Sequence, residues 1–237
     1  MREPPLLTVI IGAKCSDGVA LVADRKLTNI FGGKPEFRDK IFGDLGHFLM
    51  GYTGLEGLFD IFRKSVVGDV QLMLGKDPYT FDNFVSRCSP PINLLNGIAS
   101  RPDYYLEILI AKHLWKDSEL HHIDANGKYN KVEYMAIGSG YEVANALCQS
   151  LEFDKITMKE FVKQAYLAIM YMDQYCPGLG VGVGPDGIPR IKYLNYEDEW
   201  DKEPSTGDIV EYKEYTKIQL AHFKEAFDAM KSVDNIK

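Results

Sequence analysis

Two apolar segments on either side of a single turn constrain the fold of this chain most. Residues 8–14 and 19–27 are rich in β-branched and apolar side chains, and the Ser-Asp-Gly turn at 16–18 separates them. The pattern predicts that the chain opens with two antiparallel strands that are largely buried. A charged Asp-Arg-Lys triplet at 24–26 nevertheless lies close to the end of the second strand.

Strand and helix patterns then follow in groups. Apolar segments typical of strands lie at 40–42, 47–53, 104–114, 119–123, 132–137, 178–183 and 189–194. Helical spacing of apolar residues begins at Gly54 and recurs at about 80–98, 140–152, 158–172 and 212–230. Pro90 and Pro91 should bend or break the helix at 80–98, because neither donates a backbone hydrogen bond. This order predicts an α+β protein with sheet layers covered by helices on both outer sides.

Two of the predicted helices begin with a capping box. Ser139-x-x-Glu142 and Thr157-x-x-Glu160 each precede a segment with helical periodicity. As an N-cap, the side chain of Ser139 would accept a hydrogen bond from the first turn of its helix. Its presence therefore has a structural explanation whether or not it has a chemical role.

Charge and hydropathy exclude several classes of function. The formal net charge is −7 and no basic block occurs, which argues against a nucleic-acid surface. No apolar run approaches the ~20 residues that cross a bilayer. The first residues, Met-Arg-Glu-Pro-Pro, lack the features of a signal peptide. We therefore expect a cytoplasmic protein with no membrane partner.

The cysteine and histidine residues do not indicate a metal site or a cofactor. Four cysteines lie far apart without a CxxC pair, which fits reduced thiols in the cytosol; they are Cys15, Cys88, Cys148 and Cys176. His121 and His122 are adjacent in a predicted strand, so their side chains point to opposite faces and cannot bind one ion. We expect no cofactor and no metal.

The chain resembles the proteasome-type subunits of the N-terminal-nucleophile hydrolases in four segments. They are TVIIGAKCSDGVALVADRKLT, DKIFGDLGHFLMGYTG, AIGSGYEVANAL and YMDQYCPGLGVGV. These segments occur in the family's order and cover about residues 8–194. The resemblance implies a four-layer αββα sandwich, in which helices cover two antiparallel sheets. The order of strands and helices indicates the same layered arrangement.

The resemblance implies a catalytic threonine. In β-type family members the nucleophile becomes residue one after a propeptide is removed, and an acid and a lysine follow sixteen and thirty-two residues later. Counting from Thr8 gives Asp24 and Lys40. The three residue types therefore occur at the family's spacing, and residues 1–7 would be a short prosegment.

Four further site residues are implied by the same resemblance. Ser139 and Asp173 would form a hydrogen-bonded support around the amine of the threonine. Cys176 stands where the family pattern has serine. Gly51 falls at the position whose backbone N–H serves as the oxyanion donor, a role that suits a residue without a side chain.

These residues together could hydrolyse a peptide bond through an acyl-enzyme on Thr8 Oγ. A threonine hydroxyl is a weak nucleophile until a base removes its proton, and a free α-amine on the same residue is such a base. The reference pKa of that amine, roughly 7.7–8.0, suits a base near neutral pH. A buried Lys40 would bias the amine toward its neutral form. Asp24 would be the counter-ion of Lys40.

Other functions of the same fold stay open at this point. Leu7 precedes Thr8, where family propeptides usually end in glycine, and Cys176 replaces serine. Both departures favour a catalytically silent or latent subunit that acts as a scaffold, gate or adaptor. An acyl-transferring enzyme and an amidase for a small molecule are further alternatives. The presence of Thr8, Asp24 and Lys40 favours the threonine endopeptidase.

The resemblance also sets expectations for domains and partners. We expect one Ntn-hydrolase domain at 8–194, followed by a polar linker and a C-terminal helix at 195–237. Family members stack into rings of six or seven subunits, often doubled, so a homo-oligomeric ring or double ring is implied. Protein or peptide substrates are expected, and an ATPase or a second subunit type are candidate partners. We further expect the C-terminal helix to dock on a neighbouring subunit.

Overall fold

The computed structural model describes residues 8–27, 36–43, 48–73, 81–98, 105–114, 117–148, 150–195 and 202–234. The expected prosegment at 1–7 lies outside these ranges. Residues 44–46 of the second expected hairpin turn and residues 196–201 of the expected linker also lie outside them.

The predicted opening hairpin is confirmed and forms the centre of one sheet. Strands β1 (Val9–Cys15) and β2 (Gly18–Ala23) pair antiparallel, with Ile10 opposite Ala23. Every residue of β2 is buried. Within the described residues the sheet has the order β10-β1-β2-β11, where β10 is Tyr134–Gly138 and β11 is Arg190–Asn195.

A second antiparallel sheet has the order β5-β6-β7-β8-β9 within the described residues. Its strands are β5 (Ile41–Phe42), β6 (Phe48–Thr53), β7 (Glu107–Leu114), β8 (Asp117–Ile123) and β9 (Tyr129–Val132). The short strands β3 (Lys26–Leu27) and β4 (Glu36–Phe37) pair separately. The single strand predicted at 132–137 is in fact divided at Glu133, because β9 belongs to this sheet and β10 to the first.

Helices cover both sheets. They are α1 (Glu56–Met73), α2 (Phe81–Ile98), α3 (Tyr141–Cys148), α4 (Met158–Tyr175) and α5 (Thr206–Asp234). Helix α2 continues through Pro90 and Pro91, so the predicted break does not occur. Cys88 and Ile92, on either side of the prolines, are buried in the same core, and this packing holds the helix together. Within the described part of the chain, no helix is both long and apolar enough to cross a membrane.

Three hydrophobic clusters separate the layers. Between the sheets, Ile10 and Leu21 of the first sheet pack with Leu49 and Leu109 of the second. The opposite face of the first sheet packs on α3 and α4 through Val9, Ile11, Val22, Phe161 and Ile169. The opposite face of the second sheet packs on α1 and α2, and the ring of Tyr52 stacks 4.0 Å from that of Phe59. Buried apolar side chains therefore lie on both faces of each sheet.

The strand predicted at 178–183 is not present. Pro177–Leu179 forms a 3-10 turn, and Gly180 follows it with a φ of 58°, in the left-handed region. Glycines at 178, 180, 182 and 184 allow this irregular path. The segment is held beside the residues that follow β2, since Gly182 O accepts hydrogen bonds from Arg25 N (2.8 Å) and Lys26 N (3.2 Å).

Helix α5 packs on its own domain, and contact with a neighbouring subunit stays a prediction because Ile218 of its apolar face is exposed. Tyr212 is buried in the cluster between the first sheet and α4, and its ring lies 6.1 Å from that of Tyr166. Lys159 of α4 forms ion pairs with Asp208 (3.0 Å) and Glu211 (2.7 Å) of α5. The buried aromatic contact and the surface ion pairs therefore hold α5 against α4.

The capping box predicted at the start of α4 is confirmed. Thr157 Oγ1 accepts a hydrogen bond from Glu160 N (3.3 Å), and Thr157 N donates to Glu160 Oε2 (2.8 Å). We expect Thr157→Ala to lower the free energy of unfolding by about 1 kcal/mol, because the first-turn N–H group loses its acceptor. Urea denaturation measures this difference, with Thr157→Ser as the control that keeps the hydroxyl. If Thr157→Ala lost no more stability than Thr157→Ser, the capping role of Thr157 would be contradicted.

Candidate active site

The opening hairpin and β10 bring three of the predicted residues together. Thr8 immediately precedes β1, and Asp24 immediately follows β2; Asp24 N donates to Val9 O at 3.1 Å. Ser139 follows β10, whose last residue, Gly138, pairs with Val9. Residues that are 131 positions apart in sequence are therefore neighbours at one edge of the first sheet. The charged triplet at 24–26 lies at this edge because Asp24 belongs to the site.

Lys40 reaches this edge from the second sheet. It precedes β5, and its backbone oxygen accepts a hydrogen bond from Tyr52 N of β6 (3.3 Å). Its side chain is 3% exposed. Lys40 Nζ donates to Thr8 Oγ1, to Asp24 Oδ1 (2.8 Å) and to Lys26 O (2.7 Å). Three acceptors match the three donors of an ammonium group, so the charged form of Lys40 fits this position.

The carboxylate of Asp24 is fully buried and holds the cluster together. Its Oδ1 accepts from Thr8 Oγ1 (2.5 Å), Val9 N (2.9 Å) and Lys40 Nζ, and its Oδ2 accepts from Lys26 N (3.2 Å). A buried charge is tolerated when it is both paired and hydrogen-bonded. Asp24 meets both conditions and is the counter-ion expected for Lys40.

The Thr8 hydroxyl lies between these opposite charges. It donates to the Asp24 carboxylate and accepts from the Lys40 ammonium. Burial lowers the pKa of Lys40, and the charge of Asp24 acts in the opposite direction. A positive charge at the threonine oxygen would stabilise negative charge that develops there. The arrangement can therefore activate a nucleophile.

Ser139 contacts Thr8 instead of capping α3. Ser139 Oγ accepts a hydrogen bond from Thr8 N (3.1 Å) and lies 3.1 Å from Thr8 O and 3.2 Å from Leu179 O, to one of which it donates. Helix α3 begins at Tyr141, where Ala144 N donates to Gly140 O. The predicted N-cap role of Ser139 is therefore wrong, because its hydroxyl is engaged across the sheet edge.

Asp173 and Cys176 come from the C-terminal end of α4, and the charges of Lys26 and Asp24 act on Asp173. Asp173 is near the C-terminus of α4, and its Oδ1 approaches Gly182, as does the side chain of Lys26. Burial raises the pKa of Asp173, while the nearby Lys26 lowers it. Cys176 ends α4 through its backbone N–H, which donates to Met172 O at 3.0 Å, and its side chain packs against the core. Neither side chain forms a hydrogen bond with Thr8 within the described part of the structure.

Gly51 is not placed at the Thr8 hydroxyl. It lies within β6 between Ile41 of β5 and Leu109 of β7. Tyr52 N points to β5, and N–H groups alternate in direction along a strand, so Gly51 N–H points to β7. A Cβ on Gly51 would face Ile10, whereas Thr53 faces Gly138 and Thr8. The strand register therefore brings Thr53, which ends β6 two residues after Gly51, close to the site.

Several contributions to the site were not predicted because they come from backbone atoms. Lys26 supplies its carbonyl to Lys40 and its N–H to Asp24, and Leu179 supplies a carbonyl to Ser139. Gly138 has a φ of 91° and lies against the Thr8 carbonyl. Backbone roles do not depend on residue type. Among these positions, only the glycine of the Gly-Ser-Gly turn carries a signal in the sequence.

The two adjacent histidines face different carboxylates. His121 Nε2 lies 3.2 Å from Glu119 Oε2, and His122 Nε2 lies 3.9 Å from Glu107 Oε2. Within the described ranges, no three His, Cys, Asp or Glu side chains converge in a way that could hold a metal ion.

Comparison with known proteins identifies the family. A family model for the proteasome subunit matches residues 8–177. Proteasome subunit beta 1 of Thermococcus sibiricus is 30% identical over 167 residues, which are 68% of this chain and 77% of that protein. Proteasome subunit alpha of the same organism is 24% identical over 161 residues, which are 67% of this chain. The subunit alpha of Pyrococcus abyssi has the same identity over the same length, and the match spans 61% of each alpha subunit. This chain belongs to the proteasome subunit family.

Proposed function

We propose that the protein is a threonine endopeptidase in which Thr8 becomes the N-terminal nucleophile after removal of residues 1–7. The observation that carries the proposal is the contact of Thr8 Oγ1 with both Lys40 Nζ and Asp24 Oδ1 in a buried cluster. A strand threonine with only a structural role does not require a buried ion pair at its hydroxyl. Keeping two charges away from water is costly, and a catalytic role explains why they are retained.

The hydrogen-bond pattern supports one route for the proton transfers. Lys40 uses all three donors of an ammonium group, so it stabilises charge on the oxygen and does not accept its proton. In the unprocessed chain, Asp24 Oδ1 is the acceptor of the Thr8 hydroxyl proton. Attack of Thr8 Oγ on the Leu7 carbonyl carbon forms an ester and breaks the Leu7–Thr8 C–N bond, and the hydroxyl proton passes through Asp24 to the leaving nitrogen, which becomes the free α-amine. Water then hydrolyses the ester, releases residues 1–7 with a C-terminal carboxyl group and restores the Thr8 hydroxyl.

The freed amine would serve as the general base with substrates. It remains beside Ser139 Oγ, which already accepts the hydrogen bond of Thr8 N. Thr8 Oγ attacks a substrate carbonyl, its proton passes through the amine to the leaving nitrogen, and the C–N bond breaks. Water cleaves the resulting ester and restores the hydroxyl. Asp173 and Cys176 would complete the surroundings of the amine from the C-terminal end of α4.

The oxyanion donor is proposed at Gly54 instead of Gly51. Gly54 is the first residue after β6 and follows Thr53, whose methyl group faces Gly138 next to Thr8. Its φ of 106° suits glycine, and a Cβ there would overlap the Tyr105 carbonyl. A backbone N–H at the end of β6 could therefore approach a substrate bound at Thr8.

We also propose that the two sheets and their helices form the four-layer αββα sandwich that the resemblance implies. The three separate hydrophobic clusters support it. The relatives named proteasome subunit alpha and beta support assembly with further subunits into a ring, with protein or peptide substrates.

A catalytically silent or latent subunit is the second candidate. Two alpha subunits are among the relatives, Leu7 replaces the usual glycine, and Thr8 is only 5% exposed. In such a subunit the Thr8 cluster would join the two sheets and perform no reaction. The two candidates differ in one observable property, the fate of the Leu7–Thr8 bond.

We expect purified wild-type protein to lose residues 1–7 on incubation near neutral pH, whereas Thr8→Ala stays full-length. The alanine variant lacks the attacking oxygen but keeps the strand. Intact-mass spectrometry with N-terminal sequencing distinguishes the products, and Thr8→Ser is the matched control that keeps a hydroxyl nucleophile. Full-length chains in both the wild type and Thr8→Ser would support the silent subunit. Equal cleavage in Thr8→Ala would indicate a contaminating protease.

A further inference from the structure

A second ion pair joins the same two segments that carry the buried pair of Asp24 and Lys40. Arg25 follows Asp24, and Asp39 precedes Lys40. Arg25 Nε lies 3.4 Å from Asp39 Oδ1, so the positions of the two charges are exchanged relative to the buried pair. Arg38 N also donates to Arg25 O (2.8 Å), which joins the segments through their backbones. The proposed chemistry uses neither Arg25 nor Asp39.

Asp39 lies between two arginines. Its Oδ2 is 3.4 Å from Arg190 Nε of β11, so this carboxylate connects the segment before β5 with the first sheet. Asp39 Oδ1 and both arginine Nε atoms are shielded from solvent. Each arginine has a further carboxylate at its outer end, since Arg25 Nη1 lies 2.8 Å from Asp186 Oδ2 and Arg190 Nη2 lies 2.7 Å from Glu203 Oε1. The five side chains form a row of alternating charge with Asp39 at its centre.

This row of charges fixes the position of the segment that carries Lys40. A single partly exposed ion pair adds little to stability, because solvent screens it, but a network of several charges restrains its members together. Arg190 belongs to a strand that pairs with β2, where it lies opposite Ala23. Arg190 therefore ties Asp39, and with it the backbone of Lys40, to the sheet that ends at Thr8. Lys40 Nζ has to meet the Thr8 hydroxyl from the other sheet, and such a restraint sets that approach.

We infer that Asp39 is a positioning residue for the Thr8 nucleophile. Held by Arg25 and Arg190, it fixes the backbone before β5 so that Lys40 Nζ contacts Thr8 Oγ1. Asp39 acts through Lys40 and takes no part in breaking or forming bonds. The inference rests on the proposed function and adds to it a residue outside the Thr8 cluster.

The rate at which residues 1–7 are lost, followed by intact mass well below the melting temperature of each variant, tests this role. We expect Asp39→Asn and Arg190→Gln each to slow the loss by about tenfold or more, since small displacements of a reacting group are costly. The two substitutions remove charges of opposite sign, so a direct effect of charge on Lys40 would change the rate in opposite directions. Asp154→Asn makes the same chemical change at an exposed position between α3 and α4 and should leave the rate unchanged.

A stability measurement tests the positioning of Lys40 without any cleavage. It uses chains with Thr8→Ala, which keep residues 1–7. We expect Asp39→Asn to lower the urea midpoint of such a chain. The shift should be smaller when Lys40→Met and Asp24→Asn are also present, because the buried pair that Asp39 holds is then absent.

Three results would overturn the inference: an unchanged or faster loss of residues 1–7 in Asp39→Asn, opposite rate changes in Asp39→Asn and Arg190→Gln, or equal midpoint shifts in the two backgrounds. The stability measurement also separates this inference from the proposed function. If the wild type kept residues 1–7 while the midpoint shifts differed, the peptidase would be contradicted and the positioning of Lys40 by Asp39 would be supported.

Discussion

Replacing Lys40 by methionine will prevent removal of residues 1–7 and lower the free energy of unfolding by about 3–5 kcal/mol. The reason is the position of Asp24, which is fully buried and would lose its only cation among the described residues. The Thr8 oxygen would lose the positive charge beside it at the same time. Guanidinium denaturation measures the loss of stability, and intact mass after incubation measures the loss of processing.

A double variant separates the effect on stability from the effect on removal of residues 1–7. In Lys40→Met with Asp24→Asn both charges are absent, so no uncompensated charge is left in the interior, and we expect much of the lost stability to return. Removal of residues 1–7 should remain abolished, because the amide cannot accept the hydroxyl proton. Normal processing in Lys40→Met would contradict the role of the ammonium. Equal stability of Lys40→Met and the wild type would contradict the buried ion pair.

The family's spacing grouped Thr8, Asp24 and Lys40 as a candidate site, and these three side chains are in contact in the folded protein. The turn of the opening hairpin explains the contact between Thr8 and Asp24. A hairpin with its turn at 16–18 necessarily brings residues 8 and 24 near the same sheet edge, since Ile10 pairs with Ala23. Local patterning therefore determines the proximity of Thr8 and Asp24. Lys40 required the family spacing as well, because it reaches the edge from the other sheet.

Predictions that depended on tertiary contacts were less successful. Ser139-x-x-Glu142 has the pattern of a capping box, yet the Ser139 hydroxyl contacts Thr8 and Leu179. The glycine-rich segment 178–183 alternates like a strand, yet it forms a 3-10 turn and an irregular path beside β2. In both cases a partner far away in sequence decides the conformation, and short-range periodicity contains no information about it.

The roles of the glycines at the site also depend on contacts between residues that are distant in sequence. Gly51 matched the expected position by its type, but strand register determines which backbone N–H faces Thr8. Register across the two sheets is set by packing of Ile10 and Leu21 against β6 and β7, which the sequence pattern alone does not specify. Gly138 had no predicted role. Its importance follows from a backbone contact that only the folded structure defines.

Gly138→Ala should therefore disrupt the site as well as the fold. Gly138 has a φ of 91°, and a Cβ there would overlap the Thr8 carbonyl oxygen and lie 3.0 Å from Thr53 Cγ2. The strained backbone alone costs of order 1–3 kcal/mol. Since the carbonyl of Thr8 must shift to make room, we also expect removal of residues 1–7 to slow by about 100-fold, as a displacement near 1 Å can produce.

Gly57→Ala is the matched control for this prediction. Gly57 lies in the first turn of α1, and a Cβ there meets no atom within 4 Å. The same substitution should leave processing unchanged and stabilise the helix by up to about 1 kcal/mol. Thermal denaturation and time-resolved intact mass on both variants make the comparison. If Gly138→Ala processed as fast as Gly57→Ala, close packing of β10 against the Thr8 carbonyl could not be what positions the nucleophile.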